Sequence, residues 1–146
     1  MYLRRLKWLW LFAVAGFCSC HSTADDPARV REIIAAFHNA FDQKNTAALC
    51  ALSTPDMQWY TLNGKAIPCA DLASFFQPLF ARWLKVRTEL NEITIEQSAE
   101  LAVARYKSRM TLTYANNETV MNNLHTMVLK RDHRTWLVWQ HHMSTD

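Results

Sequence analysis

The sequence predicts an α+β domain, with helices first and a meander of long strands after them. Three observations carry this prediction. Apolar residues recur at helical spacing in separate stretches before Val86, and from Val86 onward the period is two. Between the helical stretches, WYTLNGKAI places Asn63-Gly64 between β-prone runs, a strong short-range hairpin signal.

Each element has its own signature. Asp25-Asp26-Pro27 reads as a helix start, an acid to cap and a proline for the first turn. Val30, Ile33, Ile34, Phe37 and Phe41 then form one apolar stripe. Asn45 is placed to cap a second, short helix carrying Leu49 and Leu52. A third helix follows the hairpin with Leu72, Phe75, Phe76, Leu79 and Trp83 on one side, and Pro78 predicts a kink or break within it. Strands are expected at about 86–97, 99–114, 118–131 and 134–144. Ala115-Asn116-Asn117-Glu118 and Arg131-Asp132-His133-Arg134 read as tight turns, so neighbouring strands should be antiparallel.

The alternation of residues 101–113 separates two faces. Arg105, Lys107, Arg109, Thr111 and Thr113 belong to a wet face, and Ala102, Ala104, Tyr106, Ser108, Met110 and Leu112 to a covered one. A two-residue turn at Asn116-Asn117 would set Ser108 opposite His125, Tyr106 opposite Met127 and Met110 opposite Asn123. His125 and Asn123 then form a polar cluster inside an apolar wall. A three-residue turn after Arg131 sets His125 opposite His141. A one-residue shift sets it opposite Gln140, with His142 on its face. Either way one terminal histidine approaches His125 and the other points away.

The N-terminus reads as a segment apart. Arg4, Arg5 and Lys7 precede the apolar run Trp8–Phe17, which falls short of the roughly 20 residues a spanning helix needs. Residues 1–24 are therefore expected to be a signal peptide, with cleavage after Ala24 and a domain over 25–146. Phe17-Cys18-Ser19-Cys20 resembles a lipobox, which makes a lipoprotein signal ending at a lipidated Cys20 the alternative. Either route exports the domain to the periplasm or outside the cell, with membrane attachment only through the leader or Cys20. Of 16 basic residues three leave with the leader, so the mature chain carries 13 against 13 acidic ones, and nucleic acid is not an expected partner. Cys50 and Cys69 remain as a candidate disulfide in an oxidising compartment, with two separately buried thiols as the alternative. No CxxC is present to suggest a redox or zinc motif.

His125 with one of His141 or His142 supplies two imidazoles, whereas a catalytic zinc wants three protein ligands. The neighbouring strand adds no histidine, cysteine or acid on the covered face, so no metal or other cofactor is expected. Ser108 and His125 lack an acid to complete a nucleophilic triad. Trp59, Tyr60, Trp83 and Trp139 form a candidate aromatic wall.

The order VREIIAAFHNAFDQKNTAAL, Asn63-Gly64 hairpin, helix and four strands ending W-x-V-x-x-x-H-x-S resembles the nuclear transport factor 2-like superfamily over residues 27 to 144. Trp136, Val138, His142 and Ser144 resemble the closing strand of its SnoaL-like, ketosteroid-isomerase-like branch. The resemblance implies a cone, helices packed on a curved antiparallel sheet with a pocket in its mouth, and a homodimer through the exposed sheet face. Isomerase chemistry needs a carboxylate base, a tyrosine and a protonated acid. The matching positions are Tyr60 or Thr61, Phe37, and His125 or Thr126, none of them carboxylates, so that activity is disfavoured. Some relatives work with histidine and tyrosine, which makes His125 and Tyr106 the candidate catalytic pair. Trp59, Tyr60, Met110, Asn123, His141 and His142 are the candidate ligand-binding residues. The expected function is an exported domain holding a small apolar ligand or a protein partner in its cone. The alternatives are an envelope dehydratase or cyclase, or an anchored secretion-system or envelope assembly subunit.

Overall fold

The computed structural model describes residues 27–145. The expected leader, both cut sites and the Asp25-Asp26 cap lie outside these residues. Among the described residues no helix is long and apolar enough to cross a membrane.

Helix α1 spans Pro27–Asp42 and buries Val30, Ile34, Phe37, His38, Ala40 and Phe41. Its C-terminal Asp42 fastens it to the sheet, where the carboxylate accepts from the Thr88 backbone N–H at 2.8 Å and from the Thr88 hydroxyl at 2.6 Å. Helix α2, Thr46–Ala51, is capped as expected, with Asn45 Oδ1 accepting from Ala48 N–H at 3.0 Å. Helix α3, Leu72–Arg82, runs through Pro78 without ending there. The carbonyl that proline leaves unpaired belongs to Ser74, and both residues are exposed, so water can satisfy it. Lys44 Nζ donates to the Phe80 and Trp83 carbonyls at the end of α3, a cation where the helix dipole favours one.

The strands are β1 (Ser53–Tyr60), β2 (Ala66–Pro68), β3 (Lys85–Gln97), β4 (Leu101–Thr113), β5 (Glu118–Asp132) and β6 (Thr135–Thr145). They form one curved, open sheet in the order β2-β1-β6-β5-β4-β3. The Asn63-Gly64 hairpin joins β1 to β2, with Gly64 at φ 76°. The sheet is mixed rather than wholly antiparallel, because β1 pairs parallel to β6. The crossover between them contains α3 and the long meander, so no local turn signal announces that pairing.

The register between β4 and β5 differs from the expected one by two residues. Tyr106 faces His125, Ser108 faces Asn123 and Met110 faces Met121. The two-residue turn is centred on Ala115-Asn116 instead of Asn116-Asn117, closing with Tyr114 N–H donating to the Asn117 carbonyl at 2.8 Å. A slip of two keeps every side chain on its face, so the covered and wet faces stand as read. Between β5 and β6 a bulge at Trp139 moves His141 opposite Met127 and sets Met143 opposite His125. A disulfide joins Cys50 to Cys69, with Cα atoms 5.7 Å apart, and ties the end of α2 to the turn before α3.

Candidate functional site

His125 and His141 stand on the covered face of the sheet and are buried. Their Nδ1 and Nε2 atoms lie 3.0 Å apart and the rings stack. Ser108 Oγ lies 2.7 Å from His125 Nε2, and Asn123 Nδ2 donates to the same oxygen at 3.4 Å. Tyr106 stacks on His125 with ring centroids 4.7 Å apart, but its hydroxyl does not serve that imidazole. It pairs instead with His38 Nε2, 2.8 Å away on α1.

His38 is the residue that strand bookkeeping misses. It sits four residues after Ile34 and three before Phe41, within an otherwise apolar stripe. A polar residue at a core position of that stripe was the available signal. Its ring meets both others edge-on, 5.1 Å from His125 and 5.8 Å from His141 between centroids. The third imidazole comes from a helix, so counting strand residues alone returned two. One ring nitrogen from each of His38, His125 and His141 can be chosen so that all three lie within 4.8 Å of one another.

Burial controls the charge of this cluster. Removal from water, with repulsion from His125, lowers the His38 pKa to about 3. The same desolvation, with His142 nearby, lowers His125 to about 4, so it is a weaker base than an exposed imidazole. Desolvation, with repulsion from His125, His38 and His142, holds His141 well below the usual range. Burial likewise raises the Tyr106 phenol well above 10. At neutral pH all three imidazoles are uncharged. His141 Nδ1 and Asn123 Oδ1 are buried without a hydrogen-bond partner among the described residues.

A cavity of about 380 Å³ lies beside this network. Phe41, Trp59, Phe76, Trp83, Met110 and Met143 form much of its wall, with Thr61, Asn63 and Lys65 as polar members. No acid lines it among the described residues. None of the three histidines lines it either. Met143, directly opposite His125 in the sheet, and Trp59, 4.4 Å from His141 between ring centroids, are wall residues in contact with the cluster.

The expected ligand-binding residues therefore divide. Trp59 and Met110 line the cavity, while Asn123 and His141 belong to the buried network. Tyr60 and His142 do not join either group. They pair with each other in the β1–β6 register, one step out of phase with Trp59 and His141, and so face the other side of the sheet. Trp139 also lies away from the cavity, donating to Asp56 at 3.0 Å beneath the Lys130 ammonium. Phe37 stacks on Trp59 in the core.

A family model described as a SnoaL-like domain matches residues 30–145. The chain belongs to the SnoaL-like domain family. This SnoaL-like domain has the nuclear transport factor 2-like fold, as its solved neighbours show. A candidate scytalone dehydratase from Novosphingobium aromaticivorans superposes with a TM-score of 0.75 at 10% identity, covering 82% of this chain and 83% of its own. A candidate dehydratase of the NTF2-like family from Streptomyces avermitilis gives 0.74 at 14% identity, covering 83% and 97%. The hexachlorocyclohexane dehydrochlorinase LinA-type3 from Novosphingobium barchaimii gives 0.71 at 14% identity, covering 82% and 86%. At these identities the likeness speaks to fold. Among curated proteins none matches the chain.

Proposed function

We propose that this SnoaL-like domain is exported and binds a small apolar ligand in the cavity beside the histidine cluster. The cavity carries the reading. Its volume of about 380 Å³ suits a small molecule, and its wall is largely aromatic, leucine and methionine with a few polar groups to one side. Export is supported by the basic, apolar N-terminal segment and by the Cys50–Cys69 bridge, which suits an oxidising compartment. Trp59 and Trp83 both line the cavity, so titration of small aromatic ketones and alcohols should change tryptophan fluorescence. Leu112→Trp, which fills the cavity from its wall, should weaken such binding at least about tenfold, or roughly 1.4 kcal/mol. Undiminished binding in that variant would exclude the cavity as the site.

A second reading, a dehydratase-type lyase, draws on the structural neighbours described as dehydratases and a dehydrochlorinase. In it neutral His125 takes the proton beside the carbonyl of a β-hydroxy ketone that displaces Met143. The imidazolium so formed returns that proton to the departing hydroxyl, releasing water and the unsaturated ketone, while Tyr106 stacks on His125 and stays bonded to His38. Any turnover found among hydroxy ketones should fall on the order of a hundredfold in His125→Ala. Full activity in that variant would reject His125 as the base.

A further inference from the structure

We propose that His38, His125 and His141 form a closed binding site for one divalent first-row transition ion of the zinc class, stapling α1 to β5 and β6. This goes beyond ligand binding in the cavity and does not depend on it. Three imidazoles arrive from three separate elements, each at most 4% exposed, and their ligand atoms fit within 4.8 Å of one another. Zinc accepts imidazole nitrogens at about 2.0 Å, so two ligands at a tetrahedral centre stand about 3.3 Å apart. The His125 Nδ1 to His141 Nε2 separation of 3.0 Å needs only a small opening to admit an ion.

Two of the three imidazoles, His125 and His38, have the outer partner that a metal-bound imidazole requires. A histidine that ligates through one nitrogen needs an acceptor for the N–H on the other, which fixes its tautomer. For His125 that acceptor is Ser108 Oγ, held in turn by Asn123. Tyr106, hydrogen-bonded to His38 Nε2, supplies an oxygen beside the site. With no ion the cluster is poorly matched to itself. His125 and His141 share one hydrogen bond, which an ion held by His125 Nδ1 and His141 Nε2 would replace, whereas His141 Nδ1 has no partner among the described residues in its aromatic cage of Phe37 and Trp59 in either case. An apolar core would do without such groups, since each unsatisfied one carries its desolvation penalty uncompensated. Nitrogen-only donors favour zinc or copper over magnesium or calcium, which take oxygen ligands.

The test uses the mature chain, stripped with EDTA, dialysed and loaded with ZnCl2. Elemental analysis after gel filtration should find one zinc per chain. Isothermal titration should show His38→Gln and His141→Gln weakening zinc on the order of a hundredfold, with Ser108→Ala losing about tenfold through the outer hydrogen bond. His142→Gln and His133→Gln, exposed histidines outside the cluster, should leave it unchanged. Zinc-edge absorption of the unmodified protein should show three imidazoles at about 2.0 Å, a readout independent of whether the variants fold. No retained zinc, zinc held by fewer than three imidazoles, or affinity that follows His142 or His133 instead would each overturn the proposal.

Discussion

His38 Nε2 on the first helix and the Tyr106 hydroxyl on a long strand stand 2.8 Å apart, across 68 residues of chain. This hydrogen bond is one of the polar links between α1 and the sheet, beside that of Asp42 with Thr88. Both partners are buried, so deleting one leaves the other's polar atom without a replacement. Tyr106→Phe should cost about 1–3 kcal/mol in urea denaturation. Adding His38→Leu to that variant should cost less than the two single losses combined, because the orphaned group is removed as well. Strict additivity would mean that the pair does not interact.

Stability should fall with acid well before the carboxylates titrate. In the folded chain His38 sits at about 3, His125 at about 4 and His141 lower than usual, against about 6.5 for an unfolded histidine. Below about pH 6.5 the unfolded chain therefore binds protons that the native cluster refuses, and each histidine contributes a slope approaching about 1.4 kcal/mol per pH unit. The stabilisation is full above that pH and is lost progressively below it, down to about 4 for His125 and about 3 for His38. Urea midpoints at pH 7.5, 6 and 5, taken in chelator, should drop in that order, and His38→Leu should flatten part of the slope. A midpoint constant over this window would contradict neutral buried histidines.

The Cys50–Cys69 bridge closes a short loop between α2 and the start of α3. Its removal in Cys50→Ser/Cys69→Ser should cost about 3 kcal/mol. If the domain is exported as proposed, alkylation of the native protein before reduction should label neither cysteine. Two alkylated cysteines would refute the bridge in that compartment.

The mature N-terminus distinguishes the three routes open to the leader. Under the proposed export, intact-mass analysis of the protein from its native host should give a chain beginning at Asp25. A diacylated Cys20 would instead make it a lipoprotein, and an uncleaved leader would support an anchored assembly subunit.

Local chemistry was enough to order the helices, place the Asn63-Gly64 hairpin and divide β4 into a wet and a covered face. Helical and strand periods act over a few residues, and neighbouring side chains suffice to express them. The covered face survived even an error in register. The expected β4–β5 pairing was off by two, and an even slip keeps Tyr106, Ser108, Asn123 and His125 on the same side. By the same alternation, one of the two terminal histidines had to point inward.

Which one it was depended on the bulge at Trp139, whose backbone geometry no turn residue announces. The parallel pairing of β1 with β6 and the sharing of one cluster by His38, His125 and His141 are likewise contacts between distant segments. Nothing in the residues around Phe37-His38 distinguishes a histidine facing strands from one facing solvent, except its place in an apolar stripe. Only the packing of α1 across the curved sheet brings the third imidazole to the other two. Periodicity assigns a side chain to a face, whereas its partner on that face is set by how distant elements close over it.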